Sequence, residues 1–353
     1  MSTGVPDYDL TVSALAPGQV TLTANGDAPL ALTQPSSYAL MWAGGSAHVG
    51  PVTGVAEGTT TVTRSLTDVT GTPLTVGTQA ALDRDWYLGD PATSLGLPFS
   101  DVTVDGPLGA LPAWYVPAAG STWAVMIHGK GGLRREFLRT LPLVHDAGMP
   151  ALVITYRNDM GNAQDPVPQF GYGATEWPDL EAAVDYATGH GAKHVLIYAN
   201  SMGGAITASY LQHSARSTAV TAVVMDAPSL DFSDAVHLGA SKTTLPVVGL
   251  PVPDSLTWVA EQFASMRFGI DWGALDYADD PSDPGWARIP ILVLHGTADP
   301  TSPVTTSERF AAAHPDLVTL HTFPNAAHVE SWNTDRARYE SLVAPFLRQY
   351  AGG

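Results

Sequence analysis

The chain has 353 residues, 45% of them hydrophobic, which is enough for a sizeable core and too apolar for a disordered protein. Its 34 acidic and 16 basic residues leave a net charge of −18, a field that repels phosphate backbones and anionic membranes and argues against a nucleic-acid partner. No cysteine is present, which excludes disulfides, thiolate metal sites and a Cys nucleophile.

Met1 to Leu10 carries neither a basic n-region nor a long apolar core, so a cytoplasmic protein is expected, although a chain whose leader had been removed would read the same. No run of about 18 apolar residues occurs, so no membrane span is expected. Residues 1–98 are rich in Thr, Val, Gly and Pro and are read as a β-rich unit. Val20–Thr23, Tyr38–Trp42, Thr59–Arg64 and Leu74–Val76 look like short strands, with turns at Asn25-Gly26 and Gly44-Gly45. A small antiparallel unit packed on the rest of the chain is expected; Tyr38, Trp42 and Trp86 would serve that packing or contact a polymer.

From residue 99 to the end the pattern changes. Val102–Val104 and Ala113–Val116 suggest a hairpin around Gly106, Pro107 and Gly109. Strand-like runs come next at Ala124–Ile127, Ala151–Tyr156, Val195–Ala199, Val220–Met225, Ile291–Leu294 and Val318–Phe323. Between them lie helical stretches at Leu133–Ala147, Glu176–Ala187, Met202–His213, Thr305–Ala313 and Asp335–Leu347. This alternation predicts an α/β domain with a mostly parallel sheet and helices on both faces. Residues 229–289 break the rhythm with Pro246, Pro251 and Pro253 and an amphipathic piece near Leu256–Phe268, and are read as a helical cap: a lid, an acyl-pocket wall or a static packed excursion.

The chemistry gathers at strand ends. Val195–Ala199 leads into Asn200-Ser201-Met202-Gly203 and then an Ala-rich helix, the strand–turn–helix that holds a serine hydroxyl above a sheet. Ala199 stands where Gly is commoner. A serine needs a base, and the base an orienting acid. His328 follows one strand, Asp299 another, in the chain order Ser, Asp, His. His128-Gly129-Lys130-Gly131-Gly132 after Ile127 suits an oxyanion turn, with Lys130 N–H and Met202 N–H as donors; the Lys130 side chain has no part in that role. Gly129 and Trp332 are assigned to the substrate-binding wall, Trp332 serving equally well as a core aromatic.

From about Val102 to the C-terminus the chain resembles the α/β-hydrolase superfamily, through His128-Gly129, Ala199–Gly203, the acid loop His295–Asp299 and His328. Within it the chain is most similar to bacterial serine esterase-like proteins with an N-terminal β-region. The resemblance implies an eight-stranded, mostly parallel sheet and a serine-hydrolase mechanism.

Several residues invite other readings. Asp226 is an alternative acid, with Asp299 preferred because of its loop. His128 shapes its turn, His295 is structural, and His190 with His194 makes a poor metal pair because Gly189 and Gly191 break any helix. Asp276, Asp279, Asp280 and Asp283 read as a solvated loop, so no metal is expected. Tyr156–Asp159 is placed at the substrate border, and Glu176 at a helix N-terminus. The leading function is cofactor-free hydrolysis of small-molecule or polymeric carboxylic esters through an acyl-enzyme. Amidase, peptidase or acyltransferase chemistry uses the same triad, and a non-catalytic scaffold is the alternative of another class. Oligomeric state is not legible.

Overall fold

Short Thr- and Val-rich strands with one apolar face must bury that face against something, and six of them do so by closing on themselves. The computed structural model describes residues 7–56, 60–166, 169–244, 251–268, 270–278 and 288–352. Strands β1 (Leu10–Ala16), β2 (Gln19–Ala24), β3 (Tyr38–Trp42), β4 (Gly45–Val55), β5 (Thr61–Gly71) and β6 (Gln79–Asp83) form a closed antiparallel barrel in the order β1-β2-β5-β4-β3-β6. Leu10, Val12, Val20, Leu22, Leu40 and Trp42 belong to its core. Arg64 is also fully buried there. Its guanidinium donates to the carbonyls of Ala31, Leu32, Gln34, Ser36 and Gly50, which compensates its lost hydration.

Two expectations for this unit are corrected. Leu74–Val76 is not a strand; it leads into the turn at Gly77, whose φ of +91° ends any extended run before β6. Tyr38 and Trp42 are buried, so neither offers a polymer-binding face.

After residues 84–99 the main sheet begins. Its strands are β7 (Ser100–Gly106), β8 (Gly109–Val116), β9 (Thr122–Ile127), β10 (Ala151–Ile154), β11 (His194–Asn200), β12 (Val220–Asp226), β13 (Ile291–Gly296) and β14 (Val318–Phe323). They lie in the order β14-β13-β12-β11-β9-β10-β8-β7. The β7–β8 hairpin is antiparallel, and β9 to β14 run parallel to one another. Helices Trp177–Gly189, Met202–His213 and Val304–Ala313 cover one face, packing on Val125, Ile127 and Ile197. Helices Leu141–Asp146 and Arg336–Ala351 cover the other, packing on Met126, Leu196 and Tyr198. Both faces buried is why the inner parallel strands β9 to β13 read as nearly continuous apolar runs. All parallel strands therefore finish at one rim, where the loops carry the polar residues.

The helix expected at Leu133–Ala147 is split. A 3-10 turn, Arg134–Arg139, gives way at Thr140 to the helix Leu141–Asp146, whose second residue, Pro142, lacks the N–H needed to continue the earlier turn. The strand expected to reach Tyr156 stops at Ile154 because the Asp159 carboxylate takes the Tyr156 N–H at 2.9 Å. The cap carries helices Phe232–Ser241 and Asp254–Phe268. The second is inverted: Thr257 and Glu261 face inward, while Leu256, Trp258, Val259, Phe263 and Met266 are exposed. Among the described residues no helix is long and apolar enough to cross a membrane.

Candidate active site

Ser201 follows β11 and precedes the helix Met202–His213, and its backbone carries the cost of that turn, with φ +51° and ψ −121°. Such a conformation costs on the order of 1–3 kcal/mol and persists only where its surroundings over-determine it. Here Ser201 N–H donates to Asp226 O at 3.0 Å, and Ser201 O accepts from Gly204 N and Ser229 N at 2.9 and 3.1 Å. A Cβ on Gly203 would sit 2.4 Å from Ile127 O, so only glycine lets the helix start this close to β9. Ala199, standing where Gly is commoner, is fully buried.

Three residues distant in the chain meet at this rim. Ser201 Oγ donates to His328 Nε2 at 2.7 Å, and His328 Nδ1–H donates to Asp299 Oδ2 at 2.7 Å. Asp299 lies past β13 and is fixed by Thr301 N–H and Ser302 N–H, which donate to Oδ1 at 2.7 and 2.9 Å. Burial pushes the Asp299 carboxyl up, but hydrogen bonds from His295 and His328 outweigh it and hold the group well below the usual carboxylate range. His295 acts on this acid from behind: its Nε2 lies 3.3 Å from Asp299 Oδ2 and its Nδ1 contacts Ser307 Oγ at 2.8 Å. Asp226 is elsewhere, its carboxylate accepting from Ser331 Oγ at 3.1 Å and pushed up to about 6, mainly by burial.

The turn after β9 abuts Ser201. A side chain on Gly129 would meet Ser201 Cβ at 2.8 Å, so the missing Cβ keeps the space beside the hydroxyl open. Tyr156 OH donates to Gly129 O at 2.9 Å, and Gly132 N–H to the same oxygen at 3.0 Å. Met202 N–H is one of the first-turn amides that a helix leaves unbonded, and it adjoins Ser201. Lys130 is an exposed residue of the turn, and its Nζ donates to Tyr172 OH at 3.2 Å.

Solved structures similar to this one are numerous. An esterase of Pyrococcus furiosus is 16% identical, with a TM-score of 0.57 over 75% of this chain and 98% of that one. A thermostable carboxylesterase cloned from a metagenomic library is 17% identical, with a TM-score of 0.51 over 72% and 90%. A serine hydrolase of Cycloclasticus zankles is 16% identical, with a TM-score of 0.51 over 70% and 98%. The chain has the α/β-hydrolase fold. Residues 11–83, the barrel, match a family model described as a domain of unknown function, DUF8805. No curated protein matches the sequence.

Around the rim of this hydrolase fold, three sequence readings change. Trp332 is buried behind the histidine loop, edge-on to Trp86 at 5.9 Å, so it packs the seam to the barrel instead of walling an open site. Arg157 does not border substrate; Asp179 takes its Nε and Nη2 at 2.8 and 2.9 Å in a buried fork. Glu176 precedes its helix, but its carboxylate accepts from Gly171 N and Gly173 N at 2.6 and 3.0 Å and so shapes the neighbouring loop. In the acidic loop, Asp276 accepts from Ala278 N–H at 2.9 Å, and Asp279, Asp280 and Asp283 lie outside the described residues.

His128 does shape its turn, with Nδ1–H donating to Gly129 O at 2.8 Å and Nε2 lying 3.1 Å from Asp159 Oδ2. Burial disfavours its charge, yet the Asp159 carboxylate and the Gly129 carbonyl lift its pKa above the ordinary value. His190 bonds Tyr186 O at 2.7 Å and caps its helix.

Sequence reasoning missed two groups. One is an aromatic run from Lys130 into the cap, with Tyr172 on Phe232 at 4.0 Å and Phe232 on Trp272 at 5.4 Å between ring centres. The other is the seam between barrel and histidine loop. Tyr38 OH donates to Glu330 Oε2 at 2.6 Å, Ser36 bonds Thr334 at 2.8 Å, and Asn333 Nδ2 donates to Ser37 O and Arg84 O at 2.7 and 2.9 Å. No local signal in sequence pairs residues nearly 300 positions apart.

Proposed function

We propose that the protein is a serine hydrolase that cleaves carboxylic esters through an acyl-enzyme. The observation that supports this most is the continuous line from Ser201 Oγ through His328 to Asp299, with both links at 2.7 Å. His328 takes the hydroxyl proton on Nε2 as Ser201 Oγ attacks the ester carbonyl, and Asp299 holds the tautomer and stabilises the imidazolium. The carbonyl oxygen becomes an oxyanion facing Met202 N–H and Lys130 N–H, donors whose individual removal typically costs about 3–4 kcal/mol. His328 then protonates the departing alkoxide, and water repeats the sequence to release the acid.

The open space at Gly129 and the aromatic run Tyr172–Phe232–Trp272 suit an apolar ester beside the nucleophile. The domain reading is a barrel-bearing unit at 1–98 and a hydrolase unit at 99–353 with its cap at 229–289. A fluorophosphonate probe tests the function. Stoichiometric labelling lost in Ser201→Ala, with nitrophenyl esters turned over faster than matched anilides, is the expected result. No labelling would leave the scaffold reading, and faster anilide turnover would make the protein an amidase.

A further inference from the structure

We propose that Arg84, immediately after the last barrel strand, is a positioning residue for the catalytic histidine, so that the N-terminal barrel completes the active site. The inference rests on the serine-hydrolase reading of Ser201, His328 and Asp299.

The residue after His328 is Val329, and its φ is +57°. A β-branched side chain resists this region strongly, so the backbone that aims the imidazole must be held from outside. Both carbonyls at that strained link are held by arginines. Arg84 Nη1 donates to His328 O at 3.4 Å, and Arg139 Nη1 donates to Val329 O at 3.1 Å.

Arg84 also faces the nucleophile's side of the site. Its Nη2 donates to Glu136 Oε2 at 3.2 Å, and Glu136 Oε1 accepts from Asn200 Nδ2 at 2.7 Å. Asn200 is the residue before Ser201, and Glu136 is buried. One guanidinium therefore links the backbone of the base to the neighbour of the nucleophile through a single carboxylate. A planar fork can address a carbonyl and a carboxylate at once in fixed geometry, which a Lys ammonium does poorly.

The barrel fixes where that fork stands. Arg84 O accepts from Asn333 Nδ2 at 2.9 Å, and Ser37 N–H donates to Asn333 O at 2.9 Å. The base is thus clamped on one side by the 3-10 turn Arg134–Arg139, through Arg139, and on the other by the end of the barrel, through Arg84.

The test uses the full-length chain with Arg84→Met, Arg84→Lys and Arg84→Ala. Misplacement of a catalytic group by about 1 Å costs on the order of 100-fold, so Arg84→Met is expected to lower kcat about 10- to 100-fold on a nitrophenyl ester, with KM changed less than about threefold. Arg84→Lys should recover only part of this, and added methylguanidinium should restore kcat in Arg84→Ala. The low-field proton resonance of His328 Nδ1–H should shift or broaden in Arg84→Met. The proposal is overturned if kcat stays within about twofold of wild type, or if its loss equals the loss of fluorophosphonate-titratable sites, which would indicate unfolding. If the wild type takes no fluorophosphonate, the hydrolase reading fails separately. The resonance then decides alone, and an unchanged signal overturns the positioning role.

Discussion

Asp299→Asn changes one oxygen to an amide nitrogen with almost no change in size, so its effect reports hydrogen-bond polarity. In the wild type, Thr301 N–H and Ser302 N–H require an acceptor at the δ1 position, at 2.7 and 2.9 Å. The Asn oxygen must stay there, which turns its NH2 toward His328 Nδ1, 2.7 Å away in the native pair. The imidazole then has to offer a lone pair at Nδ1 and carry its proton on Nε2, where it faces Ser201 Oγ as a second donor. A base in that tautomer cannot take the serine proton. In protease triads of the same design this change lowers kcat about 10⁴-fold, equivalent to about 5 kcal/mol of transition-state stabilisation. Steady-state hydrolysis of a nitrophenyl ester measures it, with circular dichroism showing an unchanged fold. The companion variant Asp226→Asn should stay within about threefold, because that carboxylate serves Ser331 and not the imidazole. A loss below about tenfold in Asp299→Asn, or a larger one in Asp226→Asn, would refute the assignment of the orienting acid.

Neighbouring contacts set further outcomes. Asp226 is pushed up to about 6, so the fold favours its protonated form; that stability is present below the unfolded carboxyl value of about 3.9 and lost as pH rises through 6. Asp226→Asn should therefore raise stability at pH 8 by up to about 3 kcal/mol and leave little difference at pH 4, read from urea unfolding at both pH values. Gly203→Ala places a methyl 2.4 Å from Ile127 O and 3.0 Å from His128 O, both backbone. It should cost about 1–3 kcal/mol and more than tenfold in kcat, and a wild-type melting curve would show that the turn at Ser201 is looser than these contacts require. Tyr38→Phe removes the donor at 2.6 Å from the buried Glu330 carboxylate and should cost about 1–3 kcal/mol in a denaturant titration; no change would mean that water replaces it.

What could be read from the sequence was what local chemistry encodes. Val195–Ala199 before Ser201 and the Ala-rich run after it specify strand, turn and helix within some twenty residues, and the helix spans Met202–His213 as expected. Asp299 follows Ile291–Gly296, whose apolar run marks it as buried, and His328 follows Val318–Phe323, an edge strand marked instead by its alternation of apolar and polar residues. Leu10–Ala16 escaped notice despite its alternation, but two other missed strands lack such marks. Gly45–Val55 contains glycines and Pro51, and Gln79–Asp83 is Ala-rich; both are strands because closing the barrel supplies pairing partners. Arg84, Glu136 and Tyr172 escaped for a different reason. Their roles come from what the fold brings opposite them: Arg84 and His328 are 244 positions apart.

The barrel seam has a consequence for how such chains can be recombined. Tyr38 with Glu330, Ser36 with Thr334 and Ser37 with Asn333 are matched polar pairs, each split between the two ends of the chain. Grafting the first ninety residues onto another hydrolase sheet would strand half of every pair, and a buried polar group without its mate is worse than none. The barrel is therefore not an interchangeable cassette: in related chains its loop residues and those following the histidine should vary together.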